Sequence, residues 1–351
     1  MTTPRNAGAF RGGPERRPLV VVDADVLGRE RTGDETYVEN LLRVLPALTP
    51  DLRLAAVTRH PELVPDGVEP VELAAGSQER RMAWSLPRLL GRLRPALAHF
   101  QYALPVRCPC PAVLTVHDLS FERDPTVMSA KDRLVFRAVV PRAARRAAYV
   151  ITVSERTRRD LVELYGIPED RIVVTPNGVD PSFHPDGAGG GYLLFVGAIQ
   201  ERKNPLAALA AAEEAGLPLV VVGPTRDEAL ATELARRGAS LRGWVEKAEL
   251  AALYRGAAAL VLPTRYEGFG LPVLEAMASG TPVVATPDPA VLEVAGKAAV
   301  FAEPGELGQA VGRALADRER LVAAGIERAR AFTWEEAARR TAEVYRAVLA
   351  R

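Results

Sequence analysis

Two carboxylates, Glu267 and Glu275, bracket the run Gly268-Phe269-Gly270-Leu271-Pro272-Val273-Leu274. The apolar stretch 259–262 before it reads as a buried strand, and Pro272 sits where a helix opening near Leu271 can accept a missing N–H. Gly280 ends that helix and the next strand starts at once. The amides around Gly268, Gly270 and Leu271 are then the free donors of a helix N-terminus at the C-terminal edge of a parallel sheet, which is a phosphate site. Carboxylates there repel phosphate and are better suited to hold hydroxyls. Glu275 fits the ribose end of a nucleotide, and Glu267 fits the hydroxyls of a transferred sugar.

A second element, Phe195-Val-Gly-Ala-Ile-Gln-Glu-Arg-Lys-Asn-Pro205, places Gly197 where the chain can turn close to a ligand and Arg202-Lys203 on the loop before the next helix. A departing nucleoside diphosphate carries about two to three negative charges, which paired cations can stabilise without a metal. Earlier in the chain, Thr115-Val-His-Asp-Leu119 follows a strand, so His117 and Asp118 are expected at a sheet edge facing a cleft. His99, after Leu97-Ala98, is expected in a similar place, and Gly33 at a strand-to-helix turn where backbone can approach an acceptor. His60 and His184 read as structural.

The elements that must position these groups are short apolar runs at 19–22, 54–57, 112–116, 149–153, 172–174, 192–196, 219–222, 259–262 and 282–285. Helical pattern or loop separates each from the next, which implies α/β architecture with parallel sheets covered by helices on both faces. The glycine-rich stretch Asp186-Gly-Ala-Gly-Gly-Gly191 divides the chain, since it is the most flexible composition present. The spacing predicts a tail at 1–18, domains at 19–187 and 188–332, and a long amphipathic helix after Thr333. Pro141 is expected to interrupt the helix carrying Lys131, Arg133, Arg137, Arg142, Arg145 and Arg146.

Of 351 residues, 48% are hydrophobic and 25% charged, and 45 Lys and Arg nearly cancel 44 Asp and Glu. This excludes a disordered chain and gives no global field for nucleic acid. The balance is uneven, however: residues 80–146 hold 13 Lys and Arg against 4 Asp and Glu. That excess suits either a solvated arginine-rich face or peripheral contact with an anionic membrane. Cys108 and Cys110 lack a second pair to complete a metal site and read as reduced thiols. No run reaches the ~18 apolar residues of a membrane span, and the start of the chain lacks a signal-peptide core, so a cytoplasmic protein is expected.

On these residues the chain resembles the GT-B-fold retaining glycosyltransferases of family 4. Glu267 to Glu275 resembles the family's E-x(7)-E motif with its E-G-F-G core, Gly197 with Arg202 and Lys203 resembles its glycine and basic pair, and Thr115 to Leu119 resembles its cleft-histidine segment. The stretch from Val153-Ser154 to Pro176-Asn-Gly-Val-Asp180 is similar to the end of its acceptor domain. The resemblance covers roughly residues 19–348. It implies two Rossmann-like domains facing a cleft, an N-terminal acceptor domain and a C-terminal nucleotide-sugar domain, with the helix in 333–351 crossing back. It also implies roles for single residues. Glu267 would contact the donor sugar, Glu275 the ribose, Arg202 and Lys203 the diphosphate, and His117 the reacting sugar, with Gly268, Phe269, Gly270 and Leu271 forming the donor loop. The stretch Gly28 to Tyr37 departs from the family's glycine-rich loop, with Gly33 alone near the helix.

The expected activity is transfer of a hexose, with a lean to GDP-mannose, onto a glycan, lipid-linked or small-molecule acceptor. Such transfer proceeds by same-face departure and attack, and needs no metal or other cofactor. Asp23-Ala-Asp25 has metal-motif spacing but lies in the acceptor domain. A sugar-nucleotide epimerase and a non-catalytic nucleotide- or glycan-binding protein are the competing readings; a pyridoxal-phosphate phosphorylase fits less well for want of a suitable lysine context.

Overall fold

The structure is a computed structural model that describes residues 17–29, 33–74, 76–124, 128–186 and 189–351. Most of the expected tail, residues 1–16, and the expected boundary at 187/188 lie outside the described residues. The first sheet contains β1 (Leu19–Asp23), β2 (Arg53–Thr58), β3 (Glu69–Glu72), β4 (Leu97–Gln101), β5 (Ala112–Val116), β6 (Tyr149–Thr152) and β7 (Ile172–Val174). Its order is β3-β2-β1-β4-β5-β6-β7. The second contains β8 (Leu193–Val196), β9 (Leu219–Val222), β10 (Ser240–Leu241), β11 (Ala259–Leu262), β12 (Val283–Ala285) and β13 (Ala299–Phe301), in the order β10-β9-β8-β11-β12-β13. Every neighbouring pair is parallel.

Helices cover both faces, so the central strands are buried on both sides and read as continuous Val, Leu and Ala runs. Strand order reverses between β1 and β4 in the first sheet and between β8 and β11 in the second. At such a point the connections diverge to opposite faces and leave a crevice at the carboxyl ends of the strands.

The helix Trp334–Leu349 opens on a Thr333 cap whose side chain accepts from the Glu336 amide, and it packs on the helix Gly33–Leu48 and on β4 and β6. The chain also crosses near Gly178, where a Cβ would lie 2.1 Å from the Trp334 amide nitrogen. Two passages of backbone therefore touch at this crossing.

The helix Ala130–Arg146 runs through Pro141 unbroken, contrary to the expected interruption. Proline removes one N–H and crowds the preceding turn, but here the buried residues of the helix are Val140, Ala143 and Ala144. Packing of this face against β5 outweighs the lost hydrogen bond, so the helix continues.

Candidate active site

One side of the site is built by the two strand-to-helix loops that leave the β8/β11 reversal. Gly197 ends β8 with φ +154°, and its carbonyl oxygen lies 2.2 Å from where a Cβ on Gly223 would sit. Gly223, which sequence reasoning missed, thus permits backbone-to-backbone approach beside the loop. Beyond it, Arg202 and Lys203 occupy a short 3-10 turn. The Arg202 carbonyl accepts from the Arg265 amide at 2.9 Å, which ties the two loops together.

Both cations converge on one carboxylate. Lys203 Nζ donates to Glu267 Oε1, Arg202 lies 3.9 Å from Glu267 Oε2, and Arg202 also donates to the Tyr266 carbonyl. Arg202 and Glu267 are buried, at 8% and 6% exposure. Burial pulls the Lys203 pKa down, and the neighbouring Glu267 charge opposes that shift. Two cations thus share one carboxylate, with Asp118 and Asp288 nearby, so an arriving anion could compete with Glu267 for them.

The helix Leu271–Ala278 starts at Gly270, whose φ of +104° belongs to the left-handed region. Among the described residues, no partner accepts from the amides of Gly268, Phe269 or Gly270. They precede a helix N-terminus and directly follow Glu267, the carboxylate that the two cations share, and free amides in such a place suit an anion. The ring of Phe269 is buried and meets Phe332 edge-on at 5.9 Å. Only the backbone of Phe269 is therefore left for a ligand, while its side chain anchors the loop in the core. Leu271 is likewise packed partly against the core.

Glu275 lies one turn inside this helix and accepts from Tyr254 Oη at 2.8 Å. Burial pushes its pKa up to about 7, against the hydrogen bond from Tyr254. Asp180, whose charge also raises Glu275, pairs with Lys247 at 2.8 Å. Tyr254, Asp180 and Lys247 carried no usable sequence signal for this grouping. Asp288 did carry one, as an Asp-Pro start of a helix. Its Oδ1 caps Ala290 and Val291 at 2.9 and 3.3 Å, and its Oδ2 accepts the Glu267 amide at 3.3 Å.

On the opposite side, His117 follows β5. Its Nε2 donates to Gln101 Oε1 at 2.9 Å, and its ring meets Tyr37 edge-on at 4.8 Å. Burial lowers its pKa, partly offset by Asp34 and Asp118, so the ring is neutral at physiological pH. Asp118 accepts from the Ser120 amide at 2.9 Å and hydroxyl at 2.8 Å, while its Cβ lies 2.8 Å from where a Cβ on Gly268 would sit and its charge acts on Lys203. Gly33 opens the helix Gly33–Leu48, with nothing within 4 Å of its added Cβ.

His99 departs from expectation. It lies inside β4 rather than at the sheet edge, is fully buried, and bonds Tyr345 Oη and Thr115 Oγ1, each at 2.7 Å. Strand alternation puts it on the face covered by the last helix, so it cannot meet an acceptor. Burial drives its pKa to about 3, which keeps it neutral. Asp23 and Asp25 hold the buried Arg81 instead of a metal, with Arg81 donating to Asp23 Oδ2 at 3.0 Å. Among the described residues no cluster has the makings of a metal site.

The two halves touch directly. A Cβ on Gly268 would lie 2.3 Å from the His117 carbonyl oxygen, so only glycine lets the loop come this close. Ser154 Oγ donates to the Gly268 carbonyl at 2.5 Å, and Arg156 reaches Asp288 at 3.3 Å. Among the predicted residues, Gly197, Arg202, Lys203, Glu267, Gly268, Gly270 and His117 come together around one junction.

Comparison with known proteins identifies the family. Residues 31–183 match the family model described as Glycosyltransferase Family 4, and residues 190–317 match that of Glycosyl transferases group 1. The O-antigen chain mannosyltransferase B of Escherichia coli is 30% identical over 269 residues, covering 67% of this chain and 70% of that protein. Sucrose-phosphate synthase from Thermosynechococcus elongatus superposes with a TM-score of 0.77 at 21% identity, covering 95% of this chain and 100% of that one. Anabaena Alr3699/HepE in complex with UDP-glucose gives 0.71 at 14% identity, covering 94% and 99%. These structures share the GT-B fold. The chain therefore belongs to the group 1, family 4 glycosyltransferases.

Proposed function

We propose that this glycosyltransferase is a retaining enzyme that moves a hexose from a nucleotide sugar to a glycan, lipid-linked or small-molecule acceptor. The observation that carries the reading is the convergence of Lys203 and Arg202 on Glu267, beside the unpartnered amides of residues 268–270 and facing His117. On this reading the diphosphate enters the helix N-terminus and takes over Lys203 and Arg202. That exchange frees Glu267 to bind hydroxyls of the sugar, while Glu275 takes the ribose.

The bond from the anomeric carbon to the phosphate oxygen then breaks. The acceptor oxygen attacks that carbon on the face the phosphate leaves, and the acceptor proton passes to the departing phosphate oxygen. Lys203 and Arg202 stabilise the charge that develops there, so the reaction needs no metal. Neutral His117, whose Nε2–H is given to Gln101, accepts a hydrogen bond from a sugar hydroxyl without repelling a cationic transition state.

Likeness to a mannosyltransferase favours GDP-mannose as donor, whereas the UDP-glucose held by HepE favours a uridine nucleotide. A thermal-shift screen over nucleoside diphosphates separates them, since the preferred base stabilises the fold by mass action. The catalytic test is release of nucleoside diphosphate from a donor panel with EDTA present. Activity that survives unchanged in Glu267→Gln and Lys203→Ala would overturn the assignment, and a new sugar nucleotide formed without acceptor would indicate epimerisation instead.

The same proposal extends to an acceptor at an anionic membrane. No helix among the described residues is long and apolar enough to cross a membrane. The basic 80–146 region nevertheless exposes Trp84 (61%), Val106 (63%), Leu134 (71%) and Val135 (50%). Val106 donates its amide to Met82 O at 3.1 Å, and its own carbonyl accepts from Arg146 at 3.5 Å, so the segments of Trp84 and Val106 lie together at the C-terminal end of the helix Ala130–Arg146. Apolar side chains among arginines fit an anionic lipid surface. Cosedimentation with phosphatidylglycerol vesicles should be strong at low salt and fall as salt rises; absence of binding at low salt would end this part of the proposal.

A further inference from the structure

Tyr266 immediately precedes Glu267, yet its hydroxyl belongs to the other domain. It donates to Asp160 Oδ2 at 2.7 Å and accepts from the Leu119 amide at 3.2 Å. Leu119 closes the segment that carries His117. At its other end Tyr266 is fixed within the second domain, where its carbonyl accepts from Arg202 and from Thr264 Oγ1 at 3.1 Å.

The partners are themselves held. Asp160 is 2% exposed and keeps Arg123 at 2.6 Å and Arg156 at 3.2 Å. The Arg156 guanidinium lies 4.3 Å from the centre of the Tyr266 ring and 3.3 Å from Asp288 Oδ2, the oxygen that takes the Glu267 amide. Separation of the domains would leave Asp160 with its arginines but would strip the Tyr266 hydroxyl of both its partners. The contact is therefore specific to the closed arrangement. Burial and the nearby Asp118 and Asp160 charges hold the phenol protonated, so it remains a donor across the working pH range.

We propose that Tyr266 is a positioning residue whose hydroxyl joins the Glu267 loop to the His117 segment, so that transfer is fast only when both hydrogen bonds are made. The inference rests on the proposed function for its effect on rate but stands on the contacts alone for its effect on closure. Tyr266→Phe keeps the ring against Arg156 and deletes only the hydroxyl.

The full chain is assayed with GDP-mannose and UDP-glucose as donors, and GDP and UDP binding is measured by calorimetry. Hydrogen exchange is followed at the Leu119 amide. The expected result for Tyr266→Phe is a kcat loss of about 10- to 100-fold, with donor KM and diphosphate affinity changed less than about threefold and faster exchange at Leu119. A kcat within about twofold of the parent, or a loss lying wholly in donor affinity, overturns the proposal. If the parent turns over neither donor, the functional reading is what fails. The exchange measurement still decides the latch: acceleration at Leu119 supports it, and unchanged exchange overturns it.

Discussion

The two walls of the cleft are made of different chemistry. The donor wall is charged, with Lys203, Arg202 and Glu267 buried together and Asp288 close behind. The opposite wall is neutral and aromatic at its centre, with Tyr37 and Tyr102 around an uncharged His117 that Asp34 and Asp118 lie near enough to influence, and behind them His99 bonded between Thr115 and Tyr345. Cations are concentrated where a leaving diphosphate would develop negative charge, and the His117 ring opposite is uncharged where a carbon centre would turn cationic. Buried charge acts strongly because little water screens it.

The largest effect should come from breaking the charged wall. Lys203→Ala and Glu267→Gln should each lower kcat by about 10²- to 10³-fold, the range for removing one preorganised transition-state contact. Nucleoside diphosphate release measures this. On the neutral wall, His117→Ala should cost less, about 10- to 100-fold in kcat, and should leave diphosphate affinity nearly unchanged by calorimetry. Equal losses from both walls would erase the contrast.

Third in size is a stability effect on the neutral wall. Tyr345→Phe removes the bond to His99 Nδ1 and should lower unfolding free energy by about 1–2 kcal/mol in urea melts. The pH dependence follows from the same residue. The folded pKa of His99 is lowered to about 3, whereas an unfolded histidine titrates near 6.5. Its contribution is therefore complete above about pH 6.5 and is lost as pH falls towards 3, by about 1.4 kcal/mol per unit. The smallest effect concerns Glu275, whose pKa of about 7 leaves it half-protonated near neutrality. Ribose hydroxyls favour the carboxylate, so nucleotide-sugar affinity should rise about two- to fivefold from pH 6 to 8, and Glu275→Gln should flatten the profile.

The same contrast explains what the sequence could reveal. The donor wall was legible because its parts fall in two short segments, each a strand, a glycine turn and a helix start in fixed order. The neutral wall was legible only at His117, after its strand; its other contacts were not, because His99 meets Tyr345 from the far end of the chain and Tyr266 meets Asp160 across the cleft. β4 escaped the apolar-run signal since a histidine sits at its centre. β3 carries Glu69, Pro70 and Glu72 at an exposed edge, where solvent and the lack of a second neighbour make a proline and acids acceptable. β10 is only two residues long. The helix through Pro141 shows tertiary packing overriding a local breaker.

The most direct measurement is a crystal structure of the protein soaked with the nucleotide sugar that the thermal screen selects. The account predicts pyrophosphate oxygens within hydrogen-bond distance of the Gly270 and Leu271 amides and of Lys203, with the Lys203–Glu267 pair opened and the sugar against Glu267. Pyrophosphate bound elsewhere, with that pair intact, would contradict it.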